Sequence, residues 1–218
     1  PLLLAGKRIF DAPDFTGLLR ATMVISMRFN VIGSQSTAEQ ERKYNEVAER
    51  VAKRELDRLG ASLPLLRSIY PDDAAFRTAF SEKTIRTTDS RNNRVVRLIL
   101  CAIEKHLSGH AHDFASDAFN IEHVLSQNAP DNWGGIGNDD AEALVYRLGN
   151  MTLMQAGANR DAGNAEYAQK RDAYRASGFA ITRKIGEENA EWTPERIAAH
   201  QNWMASQATA IWRIAQLS

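Results

Sequence analysis

A histidine, a carboxylate and two asparagines stand in the second half of the chain at spacings that suit metal-assisted cleavage of a phosphodiester. Glu122 directly precedes His123 at the end of a short apolar run, and Asn150 and Asn159 follow, nine positions apart from each other. A histidine near its ordinary pKa can take a proton from an attacking water at neutral pH. A hard divalent ion can stabilise the leaving oxygen and hold the phosphate. The set therefore indicates a candidate nuclease.

A magnesium ion would need few protein ligands in such a site. Mg²⁺ prefers oxygen ligands and keeps several waters, so one or two protein oxygens suffice. Glu122 can supply a carboxylate oxygen and Asn159 an amide oxygen. Neighbouring side chains of a regular strand face apart, so Glu122 and His123 can share a site only where the chain leaves the pleat. The stretch 128–140 follows closely, is rich in Gly, Asn, Asp and Pro, and is expected to be irregular.

Apolar periodicity predicts that helices form most of the frame around these residues. Ser36 and Glu39 form a capping box for a helix that we expect to stop at Gly60. Thr193 caps the last helix, with Pro194 at its first position. Helices are expected at 15–29, 36–59, 72–80, 92–107, 164–177 and 193–216, and strands at 121–125 and 151–154.

The fold class that follows is α+β, mostly helical with a small two-stranded part. A chain of 218 residues can form one large domain or two small ones. We expect a helical region over 1–110 and a mixed region over 111–218. The mixed region carries the candidate site and the last helix, and the two regions are expected to share one core.

The composition limits the class of protein and its expected location. The chain is 44% hydrophobic and 25% charged, which is typical of a soluble globular protein, and no apolar run is long enough to cross a bilayer. The first residues do not form a signal peptide. Cys101 is the only cysteine, which excludes an intrachain disulfide and favours a cytoplasmic location. Because the formal net charge is zero, any DNA-binding surface must be local.

One stretch before the candidate site is locally basic. It contains a single acid, Asp89, among Lys83, Arg86, Arg91, Arg94 and Arg97. Arg94 and Arg97 would share a helix face and could hold DNA phosphates. The same face could instead be solvated or could pair with acids such as Glu187 and Glu188. Stronger candidates for phosphate contact stand closer to the candidate site, namely Arg160, Lys170 and Arg171.

These segments resemble the HNH, or ββα-metal, nuclease motif. The resemblance rests on Glu122-His123-Val124-Leu125-Ser126-Gln127, then Asn150, then Asn159-Arg160. The spacing of the later members is similar to that in the HNH domain of RNA-guided CRISPR nucleases. The flanking pattern resembles the C-terminal nuclease domain of GmrSD-type, modification-dependent restriction enzymes, a group that also contains phosphorothioate-sensing restriction proteins. This pattern covers about 118–214 and includes Trp133, 147–153, Asn164, Lys170, Tyr174, Ser177 and Trp192.

The resemblance implies roles for individual residues. His123 would be the general base, and Glu122 and Asn159 would hold Mg²⁺ or Mn²⁺. Asn150 would brace the finger loop and orient His123, and Asn164 is a second candidate for the third motif position. Ser126 stands where this group usually has proline. Because proline would stiffen the loop, we expect serine to alter the rigidity of the loop and not the chemistry.

The resemblance also implies a biological setting. The chain would be a metal-dependent DNA endonuclease or nickase that acts on double-stranded DNA as the effector domain of a bacterial restriction or anti-phage defence protein. Such enzymes also have an N-terminal nucleotide-hydrolysing sensor domain. Nothing in this chain resembles a phosphate-binding loop, so we expect that domain to be missing here, and we expect no membrane partner. The rival interpretation is a catalytically inactive helical module that binds DNA or another protein.

Overall fold

The fold was established from a computed structural model, which describes residues 1–127, 138–158, 163 and 165–217; of residues 138–140 only the backbone is described. The chain forms two compact units. The first consists of Pro1–Phe80 with Trp212–Ser218, and the second of Ser81–Ile211. The second unit contains the candidate site. The functional division at residue 110 stays a prediction.

The first unit is built from helices with clear start signals. The helix α2 begins after Asp11, whose carboxylate accepts a hydrogen bond from the N–H of Asp14 at 2.8 Å. The helix α3 begins after Ser36, which accepts from the N–H of Glu39 at 3.4 Å and confirms the predicted cap. The elements are α1 (Leu2–Ile9), α2 (Ala12–Ser26), a π-helical stretch (Met27–Ile32), α3 (Thr37–Ala52), α4 (Leu59–Ser62), a 3₁₀ stretch (Leu63–Ile69) and α5 (Asp73–Ser81).

The second unit contains two strands among helices. Asp89 caps α6 by accepting from the N–H of Asn92, and Gly109 ends the helix with a left-handed φ of 77°. The elements are α6 (Ser90–Ser108), β1 (Phe119–His123), α7 (Asn138–Val145), a 3₁₀ turn (Leu148–Asn150), β2 (Met151–Gln155), α8 (Tyr167–Arg175), α9 (Ala180–Glu188) and α10 (Pro194–Ile211).

The two strands pair antiparallel in a regular register. Glu122 lies opposite Thr152, and His123, the last residue of β1, lies opposite Met151. A buried cluster that includes Val124, Met154, Tyr174, Ile185, Trp192 and Ile197 packs around this pair of strands. The sheet is therefore covered by the helices that follow it, and the end of β1 is held in a fixed position.

The predicted class, mostly helical with a small antiparallel sheet, is confirmed. The predicted end of α3 at Gly60 is wrong, because the helix stops at Ala52. Arg54 takes the left-handed conformation, with φ 60°, and the N–H of Glu55 bonds to the carbonyl of Arg50. This is the usual helix-ending arrangement, formed here without glycine.

Other boundaries differ as well. The last helix ends at Ile211 and not near residue 216, and the sequence did not predict α1, α4, α7 or α9. Residues 138–140, predicted to be irregular, begin α7, whereas 128–137 lie outside the described residues. Within the part of the chain that the structure describes, no helix is long and apolar enough to cross a membrane.

Candidate active site

His123 is positioned by contacts to one of its two ring nitrogens. Its Nε2 lies 3.1 Å from the hydroxyl of Thr87 and 3.3 Å from the side-chain amide nitrogen of Gln127. The ring meets Tyr146 edge to face, with 5.9 Å between centroids. Burial lowers the pKa of His123 to about 4, and the nearby charge of Lys170 adds to the effect. The imidazole is therefore neutral at neutral pH, and it is a weaker base than the histidine of ordinary pKa expected from the sequence.

Asn150 holds the backbone that leaves β1 after His123. Its carboxamide oxygen accepts from the N–H of Leu125 at 2.8 Å, and its amide group donates to the carbonyl of Leu125 at 3.0 Å. Its own backbone carbonyl accepts from the N–H of Val124 at 3.0 Å. The side chain is fully buried, so these bonds form without competition from bulk water. Asn150 thus braces the loop directly after His123.

The position of Asn150 is in turn fixed by Trp192 and by the contact of its 3₁₀ turn with α10. Trp192 donates its indole N–H to the carboxamide oxygen of Asn150 at 2.9 Å. Gln201 of α10 accepts from the N–H of Gly149 at 3.2 Å. A Cβ on Gly149 would lie 2.4 Å from the carbonyl oxygen of Ile197, so only glycine lets the turn approach the helix this closely.

Glu122 lies in a buried polar cluster with residues of α8. Its Oε1 accepts from the ammonium of Lys170 at 2.8 Å and from the hydroxyl of Tyr174 at 2.7 Å. The Lys170 ammonium also donates to the hydroxyl of Ser126 at 2.9 Å. Burial, followed by the charge of Glu122, raises the pKa of Tyr174 well above its ordinary value, so its hydroxyl remains a donor. We call Glu122, Ser126, Lys170 and Tyr174 the carboxylate cluster.

The regular register of β1 separates Glu122 from His123. Glu122 is 4% exposed and bonds to α8, whereas His123 contacts Thr87, Gln127 and Tyr146. The two side chains therefore have different partners, as alternation along a strand requires. The metal-ligand role of Glu122 stays a prediction, and the structure gives its carboxylate a positively charged partner from the protein itself.

Two residues predicted to contact DNA are engaged in the interior. Lys170 is 1% exposed, with its ammonium in the carboxylate cluster. Arg97 is 8% exposed and lies over the ring of Phe119 at 4.5 Å. Its guanidinium donates to backbone carbonyls, those of Phe114, Ser116 and Phe119. Their roles in DNA binding stay predictions, and both cations are already paired or hydrogen-bonded inside the fold.

The remaining predicted contact and motif residues differ in how the structure places them. Arg94 is exposed on α6, and the half-buried Arg171 donates to the carbonyl of Gly186 at 3.1 Å. Their roles in DNA binding stay predictions. Four more predicted residues lie outside the described part of the chain, and their roles also stay predictions. They are Trp133, Asn159, Arg160 and Asn164.

Several positioning residues were not recognised as such from the sequence. Thr87 and Gln127 contact His123, although neither stood out by residue type. The carboxylate cluster had a readable signal, because Lys170 and Tyr174 are four positions apart on one helix and must share a face. Trp192 packs in the core, and its hydrogen bond to Asn150 has no sequence signal.

The described residues fit a metal site only in part. Among them, no group of three or more His, Cys, Asp or Glu side chains lies close enough together to hold an ion. Mg²⁺ can be held by one or two protein oxygens, with water and phosphate completing its shell. The carboxylate of Glu122 is a suitable donor by its chemistry, but Lys170 already pairs with it.

Comparison with known families places the chain in a class of DNA-processing proteins. Residues 70–207, more than half of the chain, match the C-terminal domain of GmrSD restriction endonucleases. The chain belongs to this family, which confirms the resemblance to the C-terminal domain of GmrSD-type restriction enzymes. No curated protein matches the chain. The matched range contains His123, Asn150 and the carboxylate cluster.

Proposed function

We propose that the chain is a DNA endonuclease or nickase of the HNH type, the effector domain of a restriction system, with His123 as its general base. The observation that carries the proposal is a neutral, positioned histidine at the end of β1, within the range that matches a restriction-endonuclease family. The substrate that follows from the family is double-stranded DNA. The nucleotide-hydrolysing sensor domain that such an enzyme uses would lie outside this sequence.

In the proposed reaction, His123 removes a proton from water as the water oxygen attacks phosphorus. The bond between phosphorus and the leaving sugar oxygen breaks, the sugar oxygen takes a proton from solvent water, and His123 holds the proton taken from the attacking water until it is released to solvent. General-base catalysis by such a group typically contributes about 10²- to 10⁴-fold. Asn150 supports the step indirectly, because its bonds to Val124 and Leu125 fix the backbone beside His123.

Metal dependence is part of the proposal. Mg²⁺ or Mn²⁺ would stabilise the charge that develops on the leaving oxygen. Glu122 and Asn159 are the proposed ligands, with Asn164 as the alternative to Asn159. Because Lys170 pairs with Glu122, metal binding by this carboxylate must either use its second oxygen or compete with the ammonium. We therefore expect weak metal affinity in the absence of DNA.

Cleavage of supercoiled plasmid by the purified chain tests the proposal. We expect nicked or linear product with Mg²⁺ or Mn²⁺, none with EDTA, and a loss of about 10²- to 10⁴-fold in His123→Ala. His106→Ala is the matched control, because His106 is exposed on α6 and outside the motif. Undiminished cutting by folded His123→Ala, or cutting in EDTA, would contradict the scheme.

The rival function, an inactive DNA-binding or protein-interaction module, makes a different prediction for the same assay. Such a module would leave the plasmid supercoiled under every metal condition while still retarding it in a gel or binding another protein. A wild-type chain that binds plasmid and never cuts it, with either metal, would favour this rival. A chain that cuts only when His123 is present would exclude it.

A further inference from the structure

The segment 82–89, which joins α5 to α6, carries the exposed Arg86 beside the candidate base. The backbone of this residue is held in place, because its carbonyl accepts from the side-chain amide of Asn92 at 2.9 Å. The hydroxyl of the next residue, Thr87, lies 3.1 Å from Nε2 of His123. The Arg86 side chain therefore starts from a fixed point next to His123.

The guanidinium of Arg86 lies on the same aromatic ring that meets the candidate base. Its central carbon is 5.1 Å from the centroid of the Tyr146 ring. That ring in turn meets His123 edge to face, with 5.9 Å between centroids. A cation over an aromatic face is attracted by the electron density of the ring. Tyr146 therefore supports the guanidinium of Arg86 at a distance of one ring from the imidazole.

The polar partner of this guanidinium among the described residues is Glu142 of α7. Both side chains are largely exposed, 58% for Arg86 and 60% for Glu142. An ion pair between exposed groups is weak, because water solvates both charges and two long side chains lose freedom on pairing. A phosphate offers the planar guanidinium two oxygens at once and forms a stronger contact. A DNA phosphate can therefore replace Glu142.

Arg86 differs in this respect from two other cations of the second unit. Lys170 is 1% exposed and Arg97 is 8% exposed, and both donate to oxygens inside the fold. A phosphate would have to break these buried contacts to reach either cation. Arg86 presents its charged group to solvent and has only an exposed carboxylate to exchange.

We propose that Arg86 binds a DNA phosphate close to the one that His123 attacks, and that Glu142 pairs with Arg86 until DNA displaces it. Successive phosphates of one strand advance about 3.4 Å along the duplex axis, so a strand cut at His123 carries a phosphate within reach of a group one ring away. This inference rests on the proposed nuclease function and assigns its substrate contact to a residue outside the motif.

Binding of a short fluorescent DNA duplex in EDTA, measured by anisotropy over a series of salt concentrations, tests the contact without cleavage. In Arg86→Ala we expect affinity to fall on the order of 10-fold at low salt, and the slope of log affinity against log salt to fall by about one. Arg86→Lys keeps the charge and should keep the slope. The loss should be the same on two duplexes of unrelated sequence, because phosphate contacts carry no base information.

Glu142→Gln tests the competition for the guanidinium. We expect it to bind duplex more tightly, by up to about 5-fold, because an exposed ion pair is worth little. The gain should vanish in the Arg86→Ala background, since Glu142 acts through Arg86. A gain of equal size in both backgrounds would indicate general repulsion between Glu142 and DNA and would overturn the competition.

The matched control is Arg50→Ala, which removes an exposed arginine that pairs with Glu55 in the first unit. This variant should keep both the affinity and the salt slope of the wild type. An equal loss in Arg50→Ala and Arg86→Ala would reduce the effect to overall charge and would overturn the specific contact.

Cleavage of plasmid with Mg²⁺ separates this inference from the proposed function. Arg86→Ala should raise the DNA concentration for half-maximal rate and leave the single-turnover rate at saturating DNA nearly unchanged, because the contact is made before and during the reaction. A chain that cuts DNA while Arg86→Ala keeps the wild-type affinity and slope would overturn the contact and leave the nuclease proposal standing. A chain that binds duplex through Arg86 and never cuts it would overturn the nuclease proposal alone. A wild-type chain that neither binds nor cuts DNA would overturn both.

Discussion

The pairing of Lys170 with Glu122 changes what each residue is expected to do. Both side chains are almost fully buried, and each neutralises the other at 2.8 Å. Taking two charges out of water is costly, and the cost is recovered only while both partners remain. The pair therefore has a structural role whether or not Glu122 also binds a metal. The sequence placed Lys170 on the DNA surface because a lysine beside a nuclease motif usually contacts phosphate.

Lys170→Met should destabilise the fold by about 3–5 kcal/mol, because it leaves the Glu122 carboxylate buried without its cation. Chemical denaturation measures this loss. The double variant Lys170→Met with Glu122→Gln should be more stable than Lys170→Met alone, since no unpaired charge remains and Tyr174 keeps an acceptor. A double variant as unstable as the sum of the two single changes would contradict a coupled pair.

The same variants test the metal role of Glu122. In the Lys170→Met variant the Glu122 carboxylate no longer has a cationic partner, so it is available to a divalent ion. If Glu122 is a ligand, Mn²⁺ should raise the melting temperature of this variant and leave that of the double variant unchanged, because a ligand that binds the folded state stabilises it. An equal response to Mn²⁺ in both variants would remove Glu122 from the proposed metal site.

His200 gives the stability of the molecule a pH dependence. It stacks on Trp203 at 5.1 Å between centroids, and its Nε2 is buried with no hydrogen-bond partner among the described residues. Burial, followed by the charge of Lys184, lowers its pKa to about 3. The unfolded chain, with an ordinary pKa near 6.5, therefore binds a proton at pH values where the folded chain does not.

The contribution of His200 to the free energy of unfolding should accordingly be fully present above pH 6.5. It should decrease as the pH drops towards 3, by up to about 1.4 kcal/mol per pH unit. His200→Phe fills the same space without titrating, so its stability should fall less between pH 7.5 and 5 than that of the wild type. Urea unfolding at both pH values measures the difference. His106→Phe, on the exposed face of α6, should keep the wild-type pH dependence.

At the scale of single elements, α6 shows two arginines with different surroundings. Arg97 donates to the carbonyls of the 114–119 segment, and its partners are not the acids Glu187 and Glu188 that formed the alternative. Arg94 is exposed one turn earlier. The spacing correctly placed both on one helix, but the loop that folds over Arg97 is too far along the chain for helix periodicity to reveal it.

Single substitutions of Arg97 and Arg94 should have different effects on stability and on DNA affinity. Arg97→Met should lose at least about 1.5–3 kcal/mol of stability, because buried carbonyls lose a charged donor. Arg94→Ala should leave the melting temperature unchanged and reduce the slope of log affinity for DNA against log salt by about one, if Arg94 contacts a phosphate. An unchanged slope would remove Arg94 from the DNA surface and leave Arg171 and Arg160 as candidates.

The elements themselves were predictable where local chemistry decides. The Ser36 cap is a local signal, and both strands were found to within a few residues. The end of α3 was missed because Arg54, with a left-handed φ of 60°, does the work usually given to glycine. The contact between Thr87 and His123 was missed because it joins residues 36 positions apart through backbone pairing that no periodicity encodes.

At the scale of the whole molecule, the family match and the second compact unit cover nearly the same residues. The match covers 70–207, and the second compact unit covers Ser81–Ile211. The site residues that the structure describes all fall inside both ranges. Most of the first unit lies before the match, so the family relationship carries no statement about its role. The net charge of zero is a sum over both units, so it does not give the charge of either unit.

The close approach of Gly149 to α10 means that the candidate base is mechanically linked to the last helix of its unit. One short turn bonds to Gln201 on one side and, through Asn150, to the two residues after His123 on the other. A shift of α10 cannot be absorbed at position 149, where there is no room for even a methyl group. Any displacement of α10 should therefore also displace the loop that follows His123.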